Sequence, residues 1–296
     1  MNKDCQRFAG ELVALPLPRC KSRVLDGFWR RSKHTNKTLL VFVHGMGSNF
    51  YRSLLKKECM RQTLSHGCDL LLFNNRGAED GTVHERFSDC LADLDAALHF
   101  GAAMGYQRFV LIGHSTGCQK IVYYQSLRRR ADIAGLALLA PADDQALCRR
   151  DLGRHFNQRV QQARRLVRRG RGRELIEGLY EPFSARRFLS VADPAQTEAS
   201  IFRYEGSLAH FTRLTCPVLA LFGSREEFAV MPVANMLAIL EQRARSRLFA
   251  QQIIQGADHG FHRREKETVH AVFQWLAGVS KTSGAKVHSL VSGRRG

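Results

Sequence analysis

Short apolar runs recur along the chain, and glycine or turn residues follow each of them. The runs are Thr38–Val43, Asp69–Phe73, Phe109–Ile112, Ile133–Leu139, Val218–Phe222 and Gln252–Ile254. Continuous apolar runs of this kind fit strands buried on both faces, as in a parallel sheet covered by helices. Stretches with helical spacing separate them, so we expect an α/β protein with three layers and a mostly parallel central sheet.

One helical stretch shows the expected amphipathic pattern of a crossover helix. Phe87, Leu91, Leu94 and Leu98 recur at helical spacing, and acidic residues occupy the other faces. In sheets of this type, ligands gather at the carboxyl ends of the strands. Candidate chemistry should therefore lie in the residues that follow each strand.

The region from about residue 146 to residue 213 breaks the alternation. It has no convincing buried strand, it is rich in arginine, and Phe156, Val160, Ala163 and Val167 form a narrow apolar stripe. We expect an all-helical lid here, with one face over the sheet edge, and call residues 146–213 the insertion. The predicted core is then residues 1–145 and 214–278. Residues 279–296, rich in Gly, Ser, Lys and Arg, are expected to be a disordered basic tail.

The strand that ends at Ile112 leads into a G-x-S-x-G sequence with Ser115 at its centre, followed by a stretch of helical character. A sharp strand-to-helix turn would place the Ser115 hydroxyl above the sheet, where the helix N-terminus favours developing negative charge. Gly113 and Gly117 fit because side chains at those positions would clash. Ser115 is therefore the expected nucleophile.

A serine nucleophile needs a base and an acid that orients the base. The last predicted strand runs into a loop with His259, and the preceding one runs into a loop with Glu226 and Glu227. We expect His259 to be the general base and Glu226 to orient it, with Glu227 as the alternative acid. Asp258 ranks last because a direct neighbour of His259 is poorly placed to reach its ring.

An oxyanion hole requires a backbone N–H from the loop after the first central strand. That loop contains His44, Gly45, Met46 and Gly47. We expect the N–H groups of Met46 and Thr116 to form the oxyanion hole. Two structural interpretations stay open: the glycines serve an ordinary turn, and His44 is a buried residue whose ring binds a neighbouring carbonyl.

Taken together, these residues resemble the α/β-hydrolase superfamily from about Thr38 to Ala277. Residues 113–119, GHSTGCQ, and the Tyr123-Tyr124 that follows are similar to a group that includes fungal esterases of fusarinine-type siderophores. The resemblance implies a serine hydrolase that cleaves a small-molecule carboxylic ester, without fixing the substrate. Thioesterase, amidase and acyltransferase activities use the same three side chains and stay open.

Other sequence features bear on metals, cofactors, membranes and cellular location. His259 and His262 have no accompanying ligand cluster, and no phosphate-binding glycine motif follows a strand, so we expect no metal and no cofactor. No run of eighteen apolar residues predicts a membrane span, and the N-terminus lacks the apolar core of a secretory signal. A cytoplasmic location is the resulting expectation.

The net charge of +18 is concentrated in two places. The stretch from Cys148 to Arg173 contains ten arginines and one aspartate, and the tail contains four cations and no acid. This distribution leaves a non-catalytic protein that binds a polyanion as an alternative hypothesis. Nucleic acid is not the expected partner, because the charge lies outside the predicted core. We expect it instead to favour anionic substrates or surfaces at the lid.

Overall fold

The computed structural model describes residues 6–18, 20–176, 182–246 and 248–292. Its strands are β1 (Glu11–Leu17), β2 (Cys20–Arg30), β3 (Thr38–Val43), β4 (Asp69–Phe73), β5 (Arg108–His114), β6 (Ile133–Leu139), β7 (Leu175–Ile176), β8 (Phe183–Ser184), β9 (Val218–Gly223) and β10 (Phe249–Ile254). Its α-helices are α1 (Leu54–Ser65), α2 (Cys90–Ala103), α3 (Thr116–Arg128), α4 (Asp144–Leu152), α5 (Phe156–Arg168), α6 (Ala185–Ala192), α7 (Thr197–Ile201), α8 (Val233–Arg243) and α9 (Glu265–Ser292).

The central sheet has eight strands in the order β1-β2-β4-β3-β5-β6-β9-β10. The pairs from β4 to β10 are all parallel, whereas β2 is antiparallel to both β1 and β4. The six apolar runs of the sequence are β3, β4, β5, β6, β9 and β10, so the α/β fold with a mostly parallel sheet is confirmed.

Helices cover the sheet and bury the apolar faces that the sequence indicated. Helices α1 and α9 pack on each other, α2 packs on α3, and α3 lies on β5 and β6. On α2, Leu94 and Leu98 are buried, and Phe87 is buried one turn earlier. The crossover prediction is confirmed by this packing.

The antiparallel hairpin of β1 and β2 at the sheet edge was not predicted. Leu15, Leu17, Leu25 and Trp29 are buried there, while Leu12 is exposed. Only one face of these strands is covered, and Pro16 and Gly27 interrupt their sequences. Both features weaken the pattern by which a strand is recognised in sequence.

The insertion is not entirely helical, so that expectation was wrong. Strands β7 and β8 form a two-residue antiparallel pair within it, and strands this short leave no periodic pattern. Its first helix, α4, begins at Asp144, slightly before the expected boundary. Phe156, Val160 and Ala163 of the apolar stripe are buried as predicted. They pack against α6 in a separate small core rather than over the sheet edge.

The end of the described chain also differs from expectation. Helix α9 continues to Ser292, where an irregular tail from residue 279 was expected. No proline interrupts this stretch, and each residue added to an existing helix gains a backbone hydrogen bond. Arg294 and Arg295 of the expected basic tail lie outside the described residues. Within the described part of the chain, no helix has the length and apolar character needed to cross a membrane.

Candidate active site

Ser115 lies between the end of β5 and the start of α3, in a backbone conformation that L-amino acids rarely adopt. Its φ is 55° and its ψ is −129°. The Ser115 N–H donates to the carbonyl of Leu139 at 2.9 Å, and the Ser115 carbonyl accepts from the N–H of Cys118 at 2.8 Å. These bonds hold a conformation that costs about 1–3 kcal/mol in isolation. Strain maintained in this way is typical of a functional position.

The two flanking glycines are required by close backbone packing. A Cβ atom at Gly117 would lie 2.1 Å from the carbonyl oxygen of Val43, and one at Gly113 would lie 2.7 Å from the backbone nitrogen of Cys118. Neither backbone atom can move without displacing β3 or α3. Gly117 therefore allows the turn to lie directly against β3, and Gly113 allows the start of α3 to lie directly against the end of β5, as their positions in the motif suggested.

His259 lies on the loop after β10, and the acidic residue that reaches its ring is Glu226. The distance from His259 Nδ1 to Glu226 Oε1 is 2.7 Å, and the Glu226 side chain is 1% exposed. Glu227 instead accepts the His259 backbone N–H at 2.9 Å. Asp258 faces away and pairs with His262. The contact with a buried carboxylate fits a proton on Nδ1 and a free electron pair on Nε2.

The surroundings of His259 fix the position of the imidazole. The ring of Phe228 meets it edge to face with centroids 4.6 Å apart. His114 Nε2 lies 2.8 Å from the His259 carbonyl oxygen, to which it can donate a hydrogen bond. Burial lowers the pKa of His114 to about 3, so this second histidine is neutral at physiological pH. His259 is therefore held from both its backbone and its ring.

Ser115 and His259 line the same cavity of about 210 Å³. The cavity is bordered by the loop after β3, the start of α3, the start of α4 and the loop after β9. Its other lining residues are Gly45, Met46, Ser48, His114, Thr116, Ala142, Asp144, Leu147 and Phe228. The walls are thus largely apolar, with the reactive side chains and one carboxyl group at their edge.

Met46 and Thr116, whose N–H groups were expected to form the oxyanion hole, are among the residues that line this cavity. The Gly45 carbonyl accepts from His44 Nδ1 at 2.8 Å and from the Ser48 N–H at 3.3 Å. In a trans peptide the next N–H points away from the carbonyl, so fixing Gly45 also fixes the Met46 N–H. Within the described chain, neither the Met46 N–H nor the Thr116 N–H has a hydrogen-bond partner.

His44 is a buried structural residue, one of the two interpretations left open above. Its Nδ1 donates to the Gly45 carbonyl, and its Nε2 accepts the backbone N–H of Asn75 at 3.2 Å. Burial lowers the pKa of His44 to about 3, which keeps the ring neutral and suits one donor and one acceptor nitrogen. His44 therefore connects the loop after β3 to the loop after β4.

Lys120 continues this connection, which no local sequence pattern predicted. Its Nζ lies 2.9 Å from Asn75 Oδ1 and 2.6 Å from Glu85 Oε1, and its side chain is fully buried. A lysine on an otherwise ordinary helix is usually solvated, so only the packing of α3 reveals its role. Asn75 also donates to the His44 carbonyl at 3.3 Å.

Glu85 and Lys120 belong to a group of buried charges that also includes Arg187 and Glu198 of the insertion. We call these four residues the buried charge cluster. Arg187 is fully buried, 3.3 Å from Glu85 and in direct contact with Glu198. Burial alone would raise the pKa of Glu85, but the charges of Lys120 and Arg187 bring it below its usual value. The cluster thus joins the insertion to the helix that follows Ser115.

No group of three or more His, Cys, Asp or Glu side chains is arranged to hold a metal ion in the part of the chain that the structure describes. His262, the second histidine of the loop, is bound to Asp258.

A strained serine on a strand-to-helix turn, with a histidine and a buried carboxylate on later loops of a parallel sheet, defines the class of α/β hydrolases. The family model described as the alpha/beta hydrolase family matches residues 40–272. This is most of the chain, so the protein belongs to the alpha/beta hydrolase family.

Solved structures share the fold at low identity. The siderophore hydrolase EstB from Aspergillus fumigatus is 17% identical, with a TM-score of 0.70 over 94% of this chain and 99% of that chain. Est1E from Butyrivibrio proteoclasticus is 16% identical, with a TM-score of 0.67 over 92% of this chain and all of that chain. Both likenesses concern the fold.

A curated relative matches over a shorter stretch. A UPF0613 protein from Schizosaccharomyces pombe is 28% identical over 122 residues, which is 39% of this chain and 39% of that protein. The match thus spans well under half the length of this relative.

Proposed function

We propose that the protein is a serine hydrolase that cleaves carboxylic esters through an acyl-enzyme intermediate. The observation that carries this proposal is the contact of 2.7 Å between His259 Nδ1 and Glu226 Oε1, in a histidine that shares a small cavity with the strained Ser115. The roles are Ser115 as nucleophile, His259 as general base and then acid, and Glu226 as the group that orients His259.

In the first half of the reaction, Ser115 Oγ attacks the ester carbonyl carbon while His259 Nε2 takes the hydroxyl proton. Glu226 stabilises the imidazolium without becoming protonated itself. The N–H groups of Met46 and Thr116 bind the oxyanion of the tetrahedral intermediate. His259 then gives its proton to the leaving alcohol oxygen as the carbon–oxygen bond breaks, which leaves Ser115 acylated.

In the second half, a water molecule attacks the acyl carbon and His259 accepts one of its protons. The tetrahedral intermediate collapses, the bond to Ser115 Oγ breaks, and the same proton returns to the serine. The products are a carboxylic acid and an alcohol, with the enzyme restored. Membership of the alpha/beta hydrolase family supports this scheme, as does the likeness to the siderophore hydrolase EstB.

A fluorophosphonate probe tests the proposal directly. We expect covalent modification at Ser115 at neutral pH, located by mass spectrometry of the digested protein. The Ser115→Ala variant and heat-unfolded wild-type protein are the controls, and neither should react. Folded wild-type protein that does not react, or a Ser115→Ala variant that retains full p-nitrophenyl ester turnover, would overturn it.

The leaving group is tested with matched acetyl substrates: an oxygen ester, a thioester and an anilide. We expect kcat/KM, divided by the uncatalysed rate with hydroxide, to be highest for the oxygen ester. Preference for the thioester or the anilide would replace ester hydrolysis by thioesterase or amidase activity and leave the roles of the three side chains intact.

A further inference from the structure

Asp144 lies at the wall of the cavity that contains Ser115 and His259, and the proposed reaction does not use it. It is the first residue of α4, where the chain enters the insertion. Among the described residues that line this cavity, it is the acidic one. A buried acidic side chain is costly unless its oxygen atoms are hydrogen-bonded, so the partners of the two Asp144 oxygens matter.

The orientation of the Asp144 carboxyl group is set by Gln119 on α3. The Gln119 amide donates to Asp144 Oδ2 at 2.9 Å and to the carbonyl of Ala142 at 3.0 Å. Across the described residues, the other oxygen, Oδ1, has no hydrogen-bond partner. Asp144 is 9% exposed and is one of the residues that line the cavity. One oxygen therefore has a fixed partner, and the other has none in the described chain.

The electrostatic surroundings favour the neutral acid. Burial raises the pKa of Asp144 well above its ordinary value, and the negative charges of Glu198 and Asp143 raise it further, against the opposing charge of Arg187. A neutral carboxyl whose Oδ2 accepts from an amide carries its proton on Oδ1. That O–H would be a donor for a group that enters the cavity lined by Asp144.

We propose that Asp144 determines substrate specificity by donating a hydrogen bond from Oδ1 to an acceptor oxygen of the substrate near the scissile ester. The inference rests on the proposed function and extends it to a substrate class: esters with short groups that bear an ether, hydroxyl or carbonyl oxygen. The cavity of about 210 Å³ limits the length of the group. A purely hydrocarbon group would leave the Asp144 hydroxyl buried without a partner.

Substrate pairs that differ by one oxygen in place of a methylene test this. The acyl pair is p-nitrophenyl methoxyacetate and p-nitrophenyl butyrate; the alcohol pair is 2-methoxyethyl butyrate and butyl butyrate. Each kcat/KM is divided by the rate of hydroxide hydrolysis, which removes the intrinsic effect of the oxygen. We expect wild-type protein to prefer the oxygen-containing member of at least one pair by about three- to tenfold, the size of one neutral hydrogen bond.

Variants assign the preference to Asp144. Asp144→Leu has a similar shape without a donor and should lose the preference, whereas Asp144→Asn keeps an N–H donor and should retain most of it. Asp151→Leu, at an exposed position on the same helix, is the matched control and should behave as wild type. A ratio of one in wild-type protein for both pairs overturns the proposal without any variant. The proposal is also overturned if Asp144→Leu lowers kcat/KM equally for both members of a pair.

An ester with a trimethylammonium acyl group probes the ionised form. If wild-type protein prefers it and Asp144→Asn abolishes that preference, Asp144 acts as a carboxylate and the donor proposal is wrong. Fluorophosphonate titration of every variant distinguishes loss of the Ser115 nucleophile from loss of the Asp144 contact with the substrate. Absent labelling of wild-type Ser115 rejects the proposed function, whereas normal labelling with unaltered ratios rejects only the role of Asp144.

Discussion

The turn around Ser115 and the insertion above it are held in place by different physical means. Around Ser115, backbone atoms pack directly on each other: the backbone of Gly117 lies so close to Val43 that there is no room for a Cβ atom. The insertion is instead joined to the core through side-chain charges, with Arg187 fully buried between Glu85 and Glu198. Backbone contacts hold the turn at Ser115, whereas buried side-chain charges join the insertion to the core.

The groups proposed for the reaction and the residues proposed to select the substrate come from different parts of the chain. All groups assigned to bond making and breaking come from loops at the carboxyl edge of the sheet, after β3, β5, β9 and β10. The start of α4 supplies Asp144 and Leu147 to the cavity and none of the reacting groups. We therefore expect substitutions at the loops to lower activity and substitutions in the insertion to lower stability.

The largest effect is expected at His259. His259→Ala removes the proposed base and should lower kcat by about 10⁶-fold, as loss of such a residue does in serine hydrolases. The measurement is turnover of a p-nitrophenyl ester, checked by circular dichroism for retained folding. His262→Ala, on the same loop but exposed, is the control and should lie within about threefold of wild type, within the usual range of surface substitutions. Equal losses in both variants would contradict the assignment.

Next in size is the contrast between the adjacent acids of the β9 loop. Glu226→Gln should lower kcat by about 10⁴-fold, because the neutral amide neither stabilises the imidazolium nor holds the neutral imidazole with its proton on Nδ1. The Glu227 side chain accepts the His259 backbone N–H rather than reaching its ring, so Glu227→Gln should cost less than about tenfold, the size of one hydrogen bond. If Glu227→Gln proves the more damaging, Glu227 is the orienting acid.

In the insertion, the strongest effect is expected on stability. Arg187→Met leaves Glu85 and Glu198 buried without this counter-charge and should lower the free energy of unfolding by about 3–5 kcal/mol. Urea denaturation measures it. Arg186→Met, at the exposed neighbouring position, should change it by less than about 0.5 kcal/mol. Similar midpoints for the two variants would show that the buried charge cluster does not hold the insertion.

A smaller, pH-dependent effect is expected at Asp143, which accepts the N–H groups of Ala146 and Tyr204. Burial raises the pKa of Asp143 to about 6, above its unfolded value of about 3.9. Its contribution to stability is therefore complete below about pH 4 and is lost as the pH rises through about 6. Relative to Asp143→Asn, wild-type protein should lose about 3 kcal/mol between these limits. Parallel pH profiles would exclude this titration.

Much of the core could be predicted because its signals are local. Continuous apolar runs identify buried parallel strands, and the residues just after them include Ser115, Glu226 and His259. The preference for Glu226 over Glu227 came from the α/β-hydrolase resemblance, which implies an acid three residues after the loop glycine, and the contact with His259 Nδ1 is in keeping with it. The roles of these residues and of the oxyanion N–H groups stay predictions until the kinetics are measured.

The remaining features depend on contacts between distant parts of the chain. Lys120 on α3 and Arg187 on α6 are cations in sequences that look solvated. They are buried because both helices pack against α7 and because both side chains pair with Glu85. Asp144 looks like an ordinary first-turn residue of a helix. Its place beside Ser115 depends on how α4 leaves the sheet, which no local pattern records.

The buried charge cluster also bears on how far the insertion can move relative to the core. Lifting α6 away would break the ion pair between Arg187 and Glu85, and breaking a buried pair of this kind is strongly unfavourable. We therefore expect the insertion to stay attached to the core during turnover rather than to open as a lid. Access to Ser115 would then depend on rotamer changes of side chains that line the cavity, such as Met46 and Phe228.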